Sequence, residues 1–122
     1  MPKEVQSPGA GHFIVSEANG HRSRHRRTFG ASQNIKSGEP YGVITATGRA
    51  VKLAPAANDG SQTAAGIAYA DVVTGTTPVV AVGIERDAEV AKVRLVWPSA
   101  LTPTQQATAL TQLAVLGIYS RG

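Results

Sequence analysis

Two short apolar runs, Val51 to Ala54 and Ala64 to Ala70, flank Asn58-Asp59-Gly60-Ser61. Asn and Asp side chains bond their own backbone and glycine accepts positive φ, so these four residues predict a surface turn between two strands. At the strand period Ala65, Ile67 and Tyr69 fall on one face, and Ala64, Gly66, Ala68 and Ala70 on the other. The second face has so little bulk that another backbone can approach it closely. Upstream, Ile35, Tyr41, Val43 and Ile44 precede Ala46-Thr47-Gly48-Arg49 and Val51 and Leu53 follow it, which reads as a β-hairpin entered through the turn Ser37-Gly38-Glu39-Pro40. Downstream, Val79 to Ile84 is apolar at both parities and predicts a strand buried on both faces. Ala91, Val93, Leu95 and Trp97 then alternate with Lys92, Arg94 and Val96, predicting a half-buried strand that stops at Pro98.

The helical period appears once. Thr102 is a good N-cap, Pro103 fits the first helical position, and Gln105 completes a capping box. Ala107, Leu110, Leu113 and Ala114 make an apolar stripe at helical spacing, and Gly117 stands where a left-handed C′ residue belongs. The pattern predicts a helix over about 103–115 that covers an open face of the sheet. The fold class is therefore mainly β (α+β): a small β-rich domain of short strands and hairpins with one C-terminal helix. Ile67, Tyr69, Val82, Leu95, Trp97, Leu110 and Leu113 are its expected core.

Ahead of this body lies a stretch of different character. Met1 to Gly11 holds Pro2, Pro8, Gly9 and Gly11 and few apolar residues, which predicts an arm without structure of its own. Phe13-Ile14-Val15 is a brief apolar patch that can add to another surface as an extended strand, before a turn at Asn19-Gly20. The expected organisation is an N-terminal arm over 1–29 and a β-rich domain over 30–122. On this reading, removing Met1 to Gly20 leaves the body folded.

Charge sharpens the contrast. The chain has 122 residues and a formal charge of +4, and Arg22, Arg24, Arg26 and Arg27 lie together between His21 and Arg27 with no acid among them. Without those four, 8 basic residues stand against 8 acidic ones, so the excess is confined to one run and the body is neutral. A neutral body with a basic arm implies local docking to an acidic partner, either phosphate or a carboxylate-rich protein surface.

Chemistry is scarce. The absence of cysteine excludes disulfides and thiolate sites, and nothing reads as a membrane span or a signal peptide, so synthesis in a reducing compartment is expected. His21 and His25 have helical metal spacing, but two ligands among four arginines make a poor zinc site, and all three histidines lie in the arm. Glu85, Asp87 and Glu89 share a face at the strand period and read as a solvated acidic edge rather than a calcium loop. Gly9-Ala10-Gly11 has neither the preceding strand nor the following helix of a phosphate loop. No enzyme, cofactor or metal is expected.

The order of these pieces carries a resemblance. Ser37-Gly38-Glu39-Pro40 before a short hairpin, then Asn58 to Ile67, Leu95-Val96-Trp97-Pro98, and a helix ending Leu116-Gly117-Ile118 resemble the phage head decoration proteins of the lambda type; Phe13 to Gly20 is similar to the arm opening in part of that family. The resemblance covers the chain from Phe13 onward and rests on order, because no single piece is a chemical signature. The run His21 to Arg27 is the departure, being more basic than the family pattern. What the resemblance implies is a homotrimer on the outer surface of an expanded icosahedral head. Such trimers bind the major capsid protein at local threefold axes and stabilise the shell. The virion is then the implied location, after synthesis in the host cytoplasm.

On that implication the arm engages the shell through Phe13, Ile14, Val15, Arg22, Arg24, Arg26 and Arg27. The alternative is a small nucleic-acid-binding module using His21 to Arg27 on phosphates. The body argues against it, having no basic face and no cluster of exposed aromatics for stacking bases.

Overall fold

A computed structural model describes residues 10–17, 23–99 and 101–121. The architecture is mainly β with one helix near the C-terminus. In chain order the strands are β1 (Ile14–Glu17), β2 (Arg24–Phe29), β3 (Asn34–Ile35), β4 (Pro40–Ile44), β5 (Arg49–Lys52), β6 (Gly66–Ala68), β7 (Val72–Val73), β8 (Val79–Ile84) and β9 (Ala88–Ala91). A 3₁₀ turn at Lys92–Arg94 follows, then α1 (Pro103–Val115) and β10 (Ile118–Arg121). Strands β2-β5-β4-β6-β8 close into a barrel, β1-β9-β10 form a three-stranded sheet, and β3 pairs with β7.

The expected hairpin is β4–β5, antiparallel with Val43 opposite Ala50. The turn at Asp59 closes on its own side chain: Asp59 Oδ1 accepts from the Ser61 amide at 3.0 Å and from the Ser61 hydroxyl at 2.6 Å. These bonds to the anion hold the Asp59 carboxyl below its ordinary range.

Closure of the barrel assigns its two surfaces. Phe29, Tyr41, Ala50 and Ala68 point inward and are fully buried, with Val43 and Ala81 packed against them. By alternation Arg24, Arg26 and Thr28 of β2, and Val80, Val82 and Ile84 of β8, point outward. The outward side is covered where Ile67 and Ile84 meet Phe13, Val90, Leu113 and Ile118 in the larger core cluster. The predicted small face of residues 64–70 becomes the barrel wall, with Gly66 and Ala68 inside and Ile67 outside.

The helix has the predicted bounds. The Thr102 hydroxyl accepts from the Gln105 amide, and the Gln105 side chain accepts from the Thr102 amide. Gly117, at φ 86°, turns the chain out of the helix and into β10. The buried positions of α1 are Ala109 and Leu113, with Leu110 partly buried; Ala107 of the predicted stripe is exposed. The helix packs against β10, which follows it directly.

Three expectations are corrected. The body begins before Gly30: Phe13 is fully buried, β1 pairs antiparallel with β9 of the same chain, and β2 pairs along its whole length with β8. Backbone pairing therefore claims most of the described part of the expected arm. Val79 to Ile84 is a strand but not a doubly buried one, since Val79 and Val80 stand 42% and 55% exposed where no element covers the barrel. The strand expected from Ala91 to Trp97 stops at Ala91, because both neighbours of β9 end there. Ala91 pairs with Arg121 on one side and donates to the Phe13 carbonyl on the other. Beyond it the ladder has no partner, and Val93 is 82% exposed in the 3₁₀ turn.

Burial of this kind is measurable. Phe13→Ala and Leu113→Ala should each lower stability by about 3–5 and 2–5 kcal/mol through lost contacts and a cavity. Removal of residues 1–20 should destabilise the domain, since it takes Phe13 and β1 with it. Urea denaturation of the three variants checks this; a truncated chain as stable as the full one would show that β1 contributes nothing to the fold.

Candidate functional site

The arginine run was the feature expected to act, and the structure divides it. Arg22 lies outside the described residues. Arg24 reaches back to Glu17, its Nε and Nη2 donating to the two carboxylate oxygens at 3.2 and 2.8 Å, while its guanidinium lies 4.3 Å from the centre of the Tyr69 ring. Arg27 points into the barrel and donates to both oxygens of Glu85 at 3.0 and 2.6 Å. The charge-assisted bond to each carboxylate raises both guanidinium pKa values further, against the opposing effect of desolvation. Arg26 is exposed and has no carboxylate partner among the described residues. Two of the three described arginines are thus structural staples. Arg24 and Arg27, expected to dock on a partner, are each held by an acid of the same chain.

Glu85 does not lie on the solvated edge expected for it with Asp87 and Glu89: its side chain is only 9% exposed. Besides Arg27 it accepts from the Tyr41 hydroxyl at 2.5 Å. Tyr41 is fully buried, with its ring edge-on to Phe29 at 5.1 Å. A Cβ at Gly83 would fall on the Tyr41 hydroxyl, and one at Gly66 would lie 2.7 Å from it. Burial, reinforced by the neighbouring Glu85 carboxylate, raises the Tyr41 pKa well above its ordinary value of 10.0. Glu89 does stand at a surface, bonded to Arg121 and to the Ser16 hydroxyl, and those bonds lower its pKa.

The apolar part of the expected arm is likewise split. Phe13 is core and Ile14 packs against the core, while Val15 sits at a bulge in the β1–β9 pairing and is 56% exposed. Across the same sheet Tyr119 of β10 is 55% exposed. Of the residues expected in the core, Ile67, Leu95 and Leu113 are buried; Tyr69, Trp97 and Leu110 are partly buried against the larger cluster, and Val82 is partly buried on the barrel's outer side.

Nothing described assembles for chemistry. Among the described residues no three of His, Asp and Glu come together to hold a metal ion, and no helix is long and apolar enough to cross a membrane. His12 Nε2 lies 3.0 Å from the Ser37 carbonyl and so donates to it, a bond that fastens the start of β1 to the turn before β4. The surface hollow beside Ser16, Glu17, Glu89 and Tyr119 has a volume of about 460 Å³ and is broadly open. It brings together acids already engaged with Arg24 and Arg121, with no paired nucleophile and base among the lining residues.

Strand edges, ion-pair staples and exposed valines are what the described surface offers. Residues 4–118 match the family model described as bacteriophage lambda head decoration protein D. The chain belongs to that family. The match includes β1, the barrel, the helix and the start of β10, so the resemblance drawn from the order of the turns holds at the family level. Head decoration proteins are structural and associate with the phage capsid, which accounts for a molecule whose polar clusters hold strands together. No curated protein gives a significant match.

Two outcomes test the barrel cluster. Gly83→Ala should destabilise the domain by about 1–3 kcal/mol or more by forcing a methyl group onto the Tyr41 hydroxyl. Tyr41→Phe, which removes that oxygen, should recover part of the loss, so the double variant is less destabilised than the two singles added. Stability should also fall as pH rises above about 10, because the unfolded chain then releases the Tyr41 proton that the folded chain retains. Below that pH the contribution is fully present. Chemical denaturation across pH 8–11 should give a shallower decline for Tyr41→Phe than for the parent; equal slopes would contradict the assignment.

Proposed function

We propose that this protein binds the outer surface of an expanded icosahedral phage head as a homotrimer at local threefold axes, and that binding to the major capsid protein stabilises the shell. The observation that carries the proposal is the family match over residues 4–118. Three features support it. Among the described residues every buried side-chain polar atom has a hydrogen-bond partner, which leaves backbone edges and apolar side chains to act. The outer strands of the β1-β9-β10 sheet carry exposed Val15 and Tyr119, and β1 leads directly to the N-terminal residues expected to engage the shell. Exposed Val79 and Val80 give the domain a second apolar surface, as an assembly with both self and shell contacts requires.

In this reading the protein catalyses nothing and needs no cofactor. Stabilisation follows from mass action, because a ligand that binds only the assembled shell lowers the free energy of that state. The nucleic-acid alternative has less to rest on: of the run's described arginines, Arg24 and Arg27 are held by Glu17 and Glu85, and a single unpaired guanidinium binds a phosphate backbone weakly.

Mixing purified protein with expanded, undecorated heads should add density at the local threefold positions in electron micrographs. Decorated heads should rupture at a higher temperature than bare ones. Heads that stay bare at saturating protein would refute the binding, and equal rupture temperatures would refute the stabilising role alone.

A further inference from the structure

The outer side of the barrel between β8, β2 and β5 is uncovered, and its composition is one-sided. Register places Val82 opposite Arg26 and Val80 opposite Thr28, and the parallel pairing of Phe29 with Ala50 sets Arg49 of β5 beside Thr28. These five side chains share the outward parity. Val80 is 55% exposed, Arg26 and Arg49 are exposed, and Thr28 and Val82 are partly so. None of the three strands contains an Asp or Glu.

Arg24, Arg27, Lys52 and Arg121 each meet a carboxylate of this chain; Arg26 and Arg49, like Lys36, Arg86, Lys92 and Arg94, meet none among the described residues, and what sets Arg26 and Arg49 apart is that they flank exposed Val80 on one sheet face. A β-branched apolar centre flanked by unmatched guanidinium groups is the composition of a protein interface, where a dry centre is rimmed by arginine. A nucleic-acid strand fits it less well, because exposed valines offer phosphates no hydrogen bond and bases no stacking surface. The complement in charge and shape is an apolar protein patch edged with Asp or Glu.

We propose that this face, Arg26, Thr28, Val80, Val82 and Arg49, docks on an acid-rimmed apolar patch of the shell subunit. The proposal rests on the function proposed above and moves the electrostatic contact from the whole arginine run to the single member of β2 that the fold leaves free, joined by an arginine distant in sequence.

The test measures occupancy of expanded heads by the parent chain, Arg26→Ser/Arg49→Ser, Val80→Ser, and the charge control Arg94→Ser, whose site is an exposed 3₁₀ turn. Circular dichroism and thermal melts establish that each variant folds. Sedimentation reports self-association, and titration with a random-sequence DNA duplex reports nucleic-acid binding. The double arginine variant should bind heads about tenfold or more weakly, with the largest loss at low ionic strength, where exposed charges are least screened. Val80→Ser should weaken binding at all salt concentrations, and Arg94→Ser should bind like the parent. If the parent binds heads and the folded face variants bind equally well, this inference fails while the decoration role stands. If the parent does not bind heads, both fail. Variants that lose self-association, or that lose tight DNA binding while still occupying heads, would assign the face to a second copy or to nucleic acid and overturn the proposal.

Discussion

A tyrosine ring has to fit inside a five-stranded barrel, and its hydroxyl has to find an acceptor there. Tyr41 fills the inner space beside Phe29, and its hydroxyl reaches the region where Gly66 of β6 and Gly83 of β8 leave room. The acceptor is Glu85, one residue past the end of β8, and Arg27 of the neighbouring strand β2 holds that carboxylate bidentately. Residues from β2, β4 and the β8–β9 connection thus meet at one point. A buried carboxylate without that guanidinium would cost several kcal/mol, and a buried hydroxyl without the carboxylate would cost about 1–3 kcal/mol. Each group is tolerable only because the other two are in place.

That constraint explains why the barrel also has an outside. With Tyr41, Phe29 and Ala50 turned inward, Ile67 and Ile84 must face outward, and they need cover. The helix, β10 and the strand β1 supply it, with Phe13 as the largest fully buried contribution from the N-terminal segment. Cover reaches Ile84 and stops short of Val80. The molecule therefore has a closed half, where apolar residues of both sheets meet the helix, and an open half, where valines and arginines face solvent.

The same arginines illustrate how a charge count can mislead. Four arginines between His21 and Arg27, with the body neutral, imply a free basic arm when charge is summed along the chain. In space, Glu17 lies seven residues before Arg24 and Glu85 lies 58 residues after Arg27, and both become partners. Summation along the sequence cannot see a partner brought close by strand pairing. Alternation does carry part of the answer, because Arg27 and Phe29 share a parity and Phe29 is apolar, so one side of β2 had to be internal.

Local signals were legible where local physics decides. Thr102, Pro103, Gln105 and Gly117 bracket the helix because capping bonds and positive φ involve residues within a few positions of one another. The turn at Asp59 closes on its own side chain, and the β4–β5 hairpin is joined by a short loop, so the sequence alone determined these too. The order of such pieces was enough to indicate the family. What only the tertiary structure decided were matters of pairing and cover: that β1 returns to β9, that β2 closes the barrel, that β9 ends at Ala91 where its neighbours end, and that Val80 stays uncovered while Ile84 does not. Each depends on residues far apart in the chain, and no periodicity within one segment can specify which other segment lies beside it.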